Sequence, residues 1–555
     1  MYLEYHRGTK TSVNEIKHYN RRAELWAYAA ETLVSILNVH QPGIISFEKH
    51  ALFEMWRKVL FNQFHDILPG SAIPDVYLLA LQELKDAIGY AKDVVQRCLA
   101  RMAPAREEVV VYNPFAWPRS EYCTFKNKLF FFDNLPGLSV QAVPLGKCEI
   151  DTSQWVPIRI EGGDYILENE LMRVGVHKDH GTIATLFYKP TGTELLDPSQ
   201  SYDKRGCGLR VFHDYTKKYR AWNIDRKYPK HRVPVAVSEL PKIAWMTDQT
   251  PCITTTYAYL NSHATICVYL RPRDSLLHVS ITTDNRDPVL LVKYFFPLSL
   301  KSNEVTAEIP YASIARKRVK VTEREKAKWE MNMQKWVDVS DATVGIAIVN
   351  NNRYGFNATA KGIYITLTRT AKHPLPKFHS AHLLIPPKDR PVYMDLKPFT
   401  YELGIMPHTG SWQESGVVQA SYNFNFPLII GNPKGRNSTE DKVNRELLRA
   451  PFIEIDSPEV ILGTIKPSEW CGSKGDILLG DSDWYWNRTL IIRLVEQHGR
   501  ACRVNLRFAS HLVIAKIEEV DLLEMHPSHQ FQIQENQISV SFTLFEIKTL
   551  RVWLS

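Results

Sequence analysis

Cysteine is sparse in this chain, and its spacing forms no motif. Cys98, Cys123, Cys148, Cys207, Cys252, Cys267, Cys471 and Cys502 are the only eight in 555 residues, and no two make a C-x-x-C pair. That excludes a zinc ribbon and a dense disulfide scaffold, and it points to a reducing, cytoplasmic setting. Long apolar runs are missing as well. None reaches the ~18 residues of a membrane span, and Met1-Tyr2-Leu3-Glu4-Tyr5-His6-Arg7 has no apolar stretch of a secretory leader, so no membrane contact is expected. Asn357-Ala358-Thr359, Asn437-Ser438-Thr439 and Asn487-Arg488-Thr489 fit the glycosylation sequon, as chance supplies at this length. Nor is charge of one sign concentrated. Lys and Arg number 68 against 60 Asp and Glu, a net charge of +8 with a pI near 8.8. The two signs are interspersed, which reads as solubility and gives no expectation of nucleic acid as a partner. Internal repeats and low-complexity tracts are absent too.

What is present is a globular composition, 44% hydrophobic, 11% aromatic and 23% charged, on a chain long enough for roughly three or four domains. Ser12-Val13-Asn14-Glu15 reads as a capping box. Ile16, Tyr19, Ala23, Trp26, Ala30, Leu33 and Leu37 follow at helical spacing, and Gln41-Pro42-Gly43 ends that helix. A second helix carries Leu52, Met55, Trp56, Val59, Leu60 and Phe64. A third runs through Val76, Tyr77, Leu81, Leu84, Ile88, Ala91, Val95 and Cys98. From Val109 onward the period changes. Val109-Val110-Val111-Tyr112-Asn113-Pro114 reads as a strand entering a turn. Leu277, Val279 and Ile281 alternate with polar residues, as do Ile538, Val540, Phe542 and Leu544. The expected fold is mainly β with an N-terminal α part, a three-helix bundle followed by stacked β-sandwich domains. Boundaries near 105, 165 and 440 divide it into 1–105, 106–165, 166–440 and 441–555. The last rests on the polar run Pro433-Lys434-Gly435-Arg436-Asn437-Ser438-Thr439-Glu440.

One stretch organises the rest: Leu60-Phe61-Asn62-Gln63-Phe64-His65-Asp66-Ile67-Leu68-Pro69-Gly70-Ser71. An aromatic-rich helical run delivers a His-Asp pair and then breaks at Pro69-Gly70. Neutral imidazole is a common zinc ligand, and a helix end can aim it into a cleft. A single histidine is no metal site, however, since catalytic zinc takes about three protein ligands. Asn62-Gln63-Phe64-His65-Asp66-Ile67 followed by Pro69-Gly70-Ser71 resembles the signature of the α-mannosidases of glycoside hydrolase family 38. Tyr2-Leu3-Glu4-Tyr5-His6-Arg7-Gly8-Thr9 resembles the lead-in to that family's middle domain. Gly416-Val417-Val418-Gln419-Ala420-Ser421-Tyr422 with Asn425-Phe426-Pro427, and the closing Phe545-Glu546-Ile547-Lys548-Thr549-Leu550, resemble its C-terminal region. The resemblance is to the bacterial and cytosolic branch, and it covers essentially the whole chain.

The resemblance implies retaining hydrolysis of α-mannosides assisted by one divalent metal, zinc, or cobalt in some relatives. It makes His65 a metal ligand and Asp66 a contact of the bound mannose. His6 and Arg7, whose side chains donate well to hydroxyls, are expected to line the same cleft. It also implies that the other metal ligands and both catalytic carboxylates belong to an N-terminal domain ahead of Met1, so no catalytic residue is assigned in this chain. Three readings follow. The chain is the middle and C-terminal part of an α-mannosidase, inactive alone. Or it is a half-subunit that joins a separate catalytic subunit. Or it is a non-catalytic carbohydrate-binding protein whose β-sandwiches hold α-mannoside glycans. Exposed apolar groups near Phe61, Phe64 and Ile67 are expected to drive self-association into homo-oligomers.

Two further stretches read as structural. His177-Lys178-Asp179-His180-Gly181 lies between apolar runs and is hairpin chemistry, not a metal pair. Lys217 to Tyr228 mixes bases with aromatics and reads as a solvated loop over a β core. The family has Ala-Trp-Asp where this chain has Ala221-Trp222-Asn223. Lys328-Trp329-Glu330, Lys335-Trp336-Val337-Asp338 and Met406-Pro407-His408-Thr409-Gly410-Ser411-Trp412 are also family-like, with structural roles expected.

Overall fold

The computed structural model describes residues 6–40, 44–102, 108–151, 155, 158–200, 206–374, 391–431, 449–468 and 489–555. Residues 2–5 of the lead-in, the helix stop at 41–43, the expected boundaries near 105 and 440, the run 433–440, Cys471, and the sequons at Asn437 and Asn487 lie outside them.

Three helices open the chain: α1 (Asn14–His40), α2 (Ile44–Phe61) and α3 (Pro74–Ala100). Their apolar stripes bury Ile16, Ala23, Ala30, Leu33 and Leu37 from α1, Leu52, Met55 and Val59 from α2, and Leu84, Ile88, Ala91, Val95 and Cys98 from α3. Pro74 opens α3, where its missing N–H costs nothing and its fixed φ suits the first turn. The expected capping box at Ser12 does not form. Ser12 Oγ donates to the carbonyls of Gly8 (3.0 Å) and Ala221 (2.9 Å). The Asn14 N–H instead donates to both carboxylate oxygens of Asp395, at 2.9 and 3.2 Å. A short polar side chain near a helix start caps only if no tertiary partner claims it.

Beyond the bundle the described strands pair antiparallel throughout. A small sheet sets Glu108–Asn113 between Ser139–Pro144 and Ile429–Gly431, beside the hairpin Arg119–Phe125 and Lys128–Leu135. A nine-stranded sheet, a six-stranded sheet and a five-stranded one then share a single apolar core. Leu277, Val279 and Ile281 point into it, with the alternation their sequence shows. Strand Asp164–Glu168 pairs with Arg159–Glu161, so residue 165 lies inside a strand. The His177–Asp179 stretch is a hairpin turn, closed by Gly181 at φ +64°.

Two more sheets finish the chain, built on Ile453–Ile455, Cys502–Phe508 and Gln537–Phe542 and on Val460–Pro467, Thr489–Glu496 and Ile547–Leu554. Leu544 lies past the end of its strand and is exposed, because the alternation stops at Phe542. These sheets and the helical bundle share one core. The Tyr28 hydroxyl of α1 lies 3.1 Å from the Pro114 carbonyl and 3.4 Å from that of Leu462. No helix among the described residues is long and apolar enough to cross a membrane.

Candidate functional site

The His65 loop begins where α2 runs out. Asn62 Nδ2 donates back to the Lys58 carbonyl and across to Glu83 of α3, both at 2.8 Å. Gln63 Nε2 reaches Glu24 of α1 at 2.7 Å. The chain then turns tightly through residues 64–71, with Gly70 at φ +84°. A Cβ on Gly70 would lie 2.3 Å from the Ser12 carbonyl oxygen, so only glycine permits this approach to the lead-in segment.

Below the loop is a buried lysine. Lys17 Nζ donates to the carbonyls of Ser12 (2.5 Å), Leu68 (3.1 Å) and Pro69 (3.2 Å). Burial pulls this ammonium down to about 7; the Arg353 charge adds to the effect and Asp395 opposes it. At the far end Ser71 N–H donates to the Asp66 carbonyl (3.1 Å) and Ser71 Oγ to Asp66 Oδ1 (2.8 Å). The Tyr77 hydroxyl accepts from Ala72 N–H at 2.8 Å and donates to the Asp66 carbonyl at 3.4 Å.

These bonds hold the backbone while its two polar side chains stay in the open. The His65 side chain is 79% exposed and that of Asp66 43%, with Nε2 3.9 Å from Oδ2. The Phe64 ring lies 4.0 Å from the imidazole. Ser71 occupies one Asp66 oxygen and leaves the other turned toward His65. The pair is therefore a pre-positioned nitrogen and oxygen donor set. It is not a closed metal site, since among the described residues no three His, Cys, Asp or Glu side chains converge on a point. A zinc held here would take His65 as one ligand and the rest from elsewhere. The helix end that leads into the pair carries exposed apolar side chains: Leu60, Phe61 and Phe64 are each more than half exposed, as are Phe53 earlier on α2 and Leu78 and Leu79 of α3. Leu60 thus departs from the core role its spacing gives it. Ile67, expected to be exposed, turns inward and is buried, because the loop needs one apolar anchor in the bundle.

His6 and Arg7 divide. His6 is exposed. Arg7 is buried, with its guanidinium 4.7 Å over Trp329 and Nη2 donating to the Ala327 carbonyl at 3.3 Å. Burial lowers its pKa; nearby Arg226 adds to this and Glu330 offsets it. In residues 1–555 the Arg7 side chain is therefore packed against Trp329 and turned away from water. The lead-in is clamped from the other side by Gly8, whose N–H donates to the Trp222 carbonyl at 2.8 Å.

The loop 217–228 is not simply solvated. Arg369, fully buried, binds Asp214 Oδ2 at 2.6 and 3.0 Å and the carbonyls of Arg220 and Asn223 at 3.0 and 2.5 Å. A buried guanidinium needs acceptors on every edge, and this loop supplies them, burying Ala221, Ile224 and Tyr228 while its lysines face water. Tyr77 lies in the core as its spacing predicts and also bonds the loop, whereas sequence reading missed Lys17 under the loop and Arg369 under the 217–228 segment. A lysine flanking an apolar stripe looks like a solvated face until the helix is packed.

Comparison with known proteins agrees with this architecture. Residues 4–102 match the family described as "Alpha mannosidase middle domain", residues 167–377 "Glycosyl hydrolases family 38 C-terminal domain", and residues 480–550 "Glycosyl hydrolases family 38 C-terminal beta sandwich domain". "Alpha-mannosidase 2C1" of Mus musculus is 26% identical over 99% of this chain and 50% of its own length. "Alpha-mannosidase" of Saccharomyces cerevisiae is 24% identical over 100% of this chain and 48% of its own. The chain spans about half the length of the curated relatives it matches. The crystal structure of an alpha-mannosidase from Enterococcus faecalis V583 superposes with a TM-score of 0.70 at 12% identity, over 98% of this chain and 68% of that one, a match of fold.

Proposed function

We propose, from the premise that this chain belongs to glycoside hydrolase family 38 through its middle and C-terminal domains, that it forms the supporting half of an α-mannosidase. The observation that carries the reading is the His65–Asp66 loop: bolted down by Lys17, Ser71 and Tyr77, yet presenting both side chains on an exposed apolar face. A catalytic domain, in the same polypeptide or as a separate subunit, docks on that face. It supplies the remaining metal ligands and the two carboxylates of a retaining site, which stand ~5 Å apart across the scissile bond. A divalent zinc, or cobalt, supplies Lewis-acid and template chemistry toward the sugar's hydroxyls when bound. His65 offers its imidazole nitrogen to that ion. Asp66, with one oxygen held by Ser71, accepts from a mannose hydroxyl through the other, and exposed His6 is available at the cleft's rim. The cytoplasm suits the free cysteines.

The test is release of nitrophenol from 4-nitrophenyl α-mannoside. Residues 1–555 alone should give no turnover, with or without zinc or cobalt. Mixed with or fused to a cognate catalytic domain, they should give activity that a chelator removes. His65→Ala should abolish that activity without unfolding the chain, because it removes an exposed ligand and no core volume. Asp66→Asn should impair turnover and leave most of the metal bound. Robust, chelator-insensitive turnover by the chain alone would overturn the reading.

A further inference from the structure

A cleft of about 330 Å³ opens where the hairpin Arg119–Phe125 and Lys128–Leu135 meets strands Ser262–Tyr269 and Leu277–Asp284 and the helix Val417–Asn425. Its volume is that of a small ligand site at a junction of substructures, a common place for one. None of its lining residues comes from the bundle that carries His65.

The walls are of two kinds. On one side the rings of Tyr122 and Phe131 meet at 4.8 Å and 53°. Also in the lining, Phe424 stacks on His278 at 5.9 Å and 23°. Tyr122, Phe131 and Phe424 are all partly exposed, so apolar ring surface is open to a ligand.

The polar groups between them are incompletely used. Glu402 takes one hydrogen bond, from Ser280 Oγ at 2.7 Å, and burial pushes its carboxyl up to about 7. Asn351 Oδ1 is buried without a partner. Arg271 gives Nη2 to Asp248 at 3.0 Å, but its buried Nε has no partner. Arg273 is exposed over the Phe131 ring at 6.0 Å; Glu170 accepts its backbone N–H at 2.9 Å and faces its charge, and the guanidinium makes no close hydrogen bond among the described residues, so it stays open to a ligand.

This inventory discriminates among ligands. A simple anion would meet Glu402 and Asn351 Oδ1, two acceptors. A simple cation would meet two guanidiniums. A purely apolar ligand would shut all four groups away from water unpaired, which disfavours its binding. The ligand that suits the cleft carries donors and acceptors side by side on one edge and a C–H face on the other. We propose that the cleft is a saccharide-binding site separate from the His65–Asp66 loop, with Glu402 and Asn351 accepting from hydroxyls, Arg271 and Arg273 donating to ring and hydroxyl oxygens, and Phe131 or Phe424 stacking on the sugar. The site gives a glycan a second hold on the chain, away from the bond being cut.

Calorimetric titration of the full chain, free of metal, with α-mannotriose and separately with cellotriose tests this. At least one trisaccharide should bind saturably at a single site. Arg273→Ala and Glu402→Gln should each weaken it about tenfold, the effect of losing one well-placed polar contact. His65→Ala should leave it unchanged. Arg273 is exposed and the Glu402 change is nearly isosteric, so neither variant threatens the fold, and circular dichroism would verify that. No binding of either sugar would overturn the proposal, as would binding unaffected by both cleft variants or lost in His65→Ala. The readout needs neither metal nor catalytic domain. Its failure leaves the mannosidase reading standing, and failed reconstitution of turnover leaves this site standing.

Discussion

His373 closes the back of the His65 loop. Its ring lies 5.9 Å from that of Tyr77, and it is only 8% exposed. Burial pulls its pKa down to about 4, against a weaker upward pull from the Ala72 backbone. A folded value below the unfolded 6.5 means that the neutral ring contributes stability fully present above pH 6.5. That stability is lost as the pH falls through about 4. The ceiling is about 3 kcal/mol for a shift of this size. Burial lowers His18 and His40 to about 4 as well, so urea unfolding of the wild-type chain should weaken between pH 6.5 and 4, and His373→Asn should make that profile shallower by its own share. Parallel profiles would show that His373 is not the group responsible. Lys17 makes a second prediction at this scale. Lys17→Met strips the donor from three carbonyls and should cost about 1–3 kcal/mol. The loss should appear first as faster amide exchange across residues 64–72, while the centre of α3 stays protected. Uniform loosening of the whole bundle would instead mean that Lys17 supports the helix and not the loop.

The first turn of α1 depends on a residue 381 positions away, since Asp395 caps Asn14 N–H with both carboxylate oxygens. Removing such a cap costs about 1 kcal/mol. Asp395→Ala should lose that much in denaturant unfolding, and Asp395→Asn, which keeps one acceptor, should lose less. Equal losses would place the effect in charge rather than capping. This contact also marks the limit of what the sequence discloses. The helices were legible because Ile16, Ala23, Ala30, Leu33 and Leu37 fall on one face at a period that only a buried helix stripe requires. The strand at Leu277–Asp284 was legible by its period of two. The cap was not, because Ser12-Val13-Asn14-Glu15 has the right residues and only the fold shows that Ser12 is bonded to Gly8 and Ala221. The same holds at the site. His65 and Asp66 stand out through their motif, whereas Lys17 and Arg369 carry no local signal, since a buried cation reads as a surface one until its acceptors are in place. Arg7 shows the converse, a charged residue that tertiary packing buries against Trp329 with no local signal of it.

At the scale of the whole molecule the helical bundle is covered on one side and bare on the other. On the covered side α1 packs into the C-terminal sheets through a common core, with Tyr28 reaching Leu462 and the Trp26 ring 5.1 Å from that of Phe426. Elsewhere on the bundle Phe53 at 61%, Leu60 at 61%, Phe61 at 63%, Leu78 at 54% and Leu79 at 59% are exposed, and Leu60 and Phe61 run directly into the His65 loop. Scattered single apolar residues are ordinary on a soluble surface, whereas a contiguous exposed apolar patch favours association. For residues 1–555 on their own, a second copy of the same face is an available cover. The chain alone should therefore self-associate, and sedimentation velocity should show mass increasing with concentration. Replacing Leu60 and Phe61 with Lys and Glu should return it to a monomer without lowering its thermal midpoint, because neither side chain contributes to the core. The same double variant should fail to capture a cognate catalytic domain. That outcome would tie self-association and docking to one surface, and a wild-type chain that stays monomeric across its soluble range would separate them.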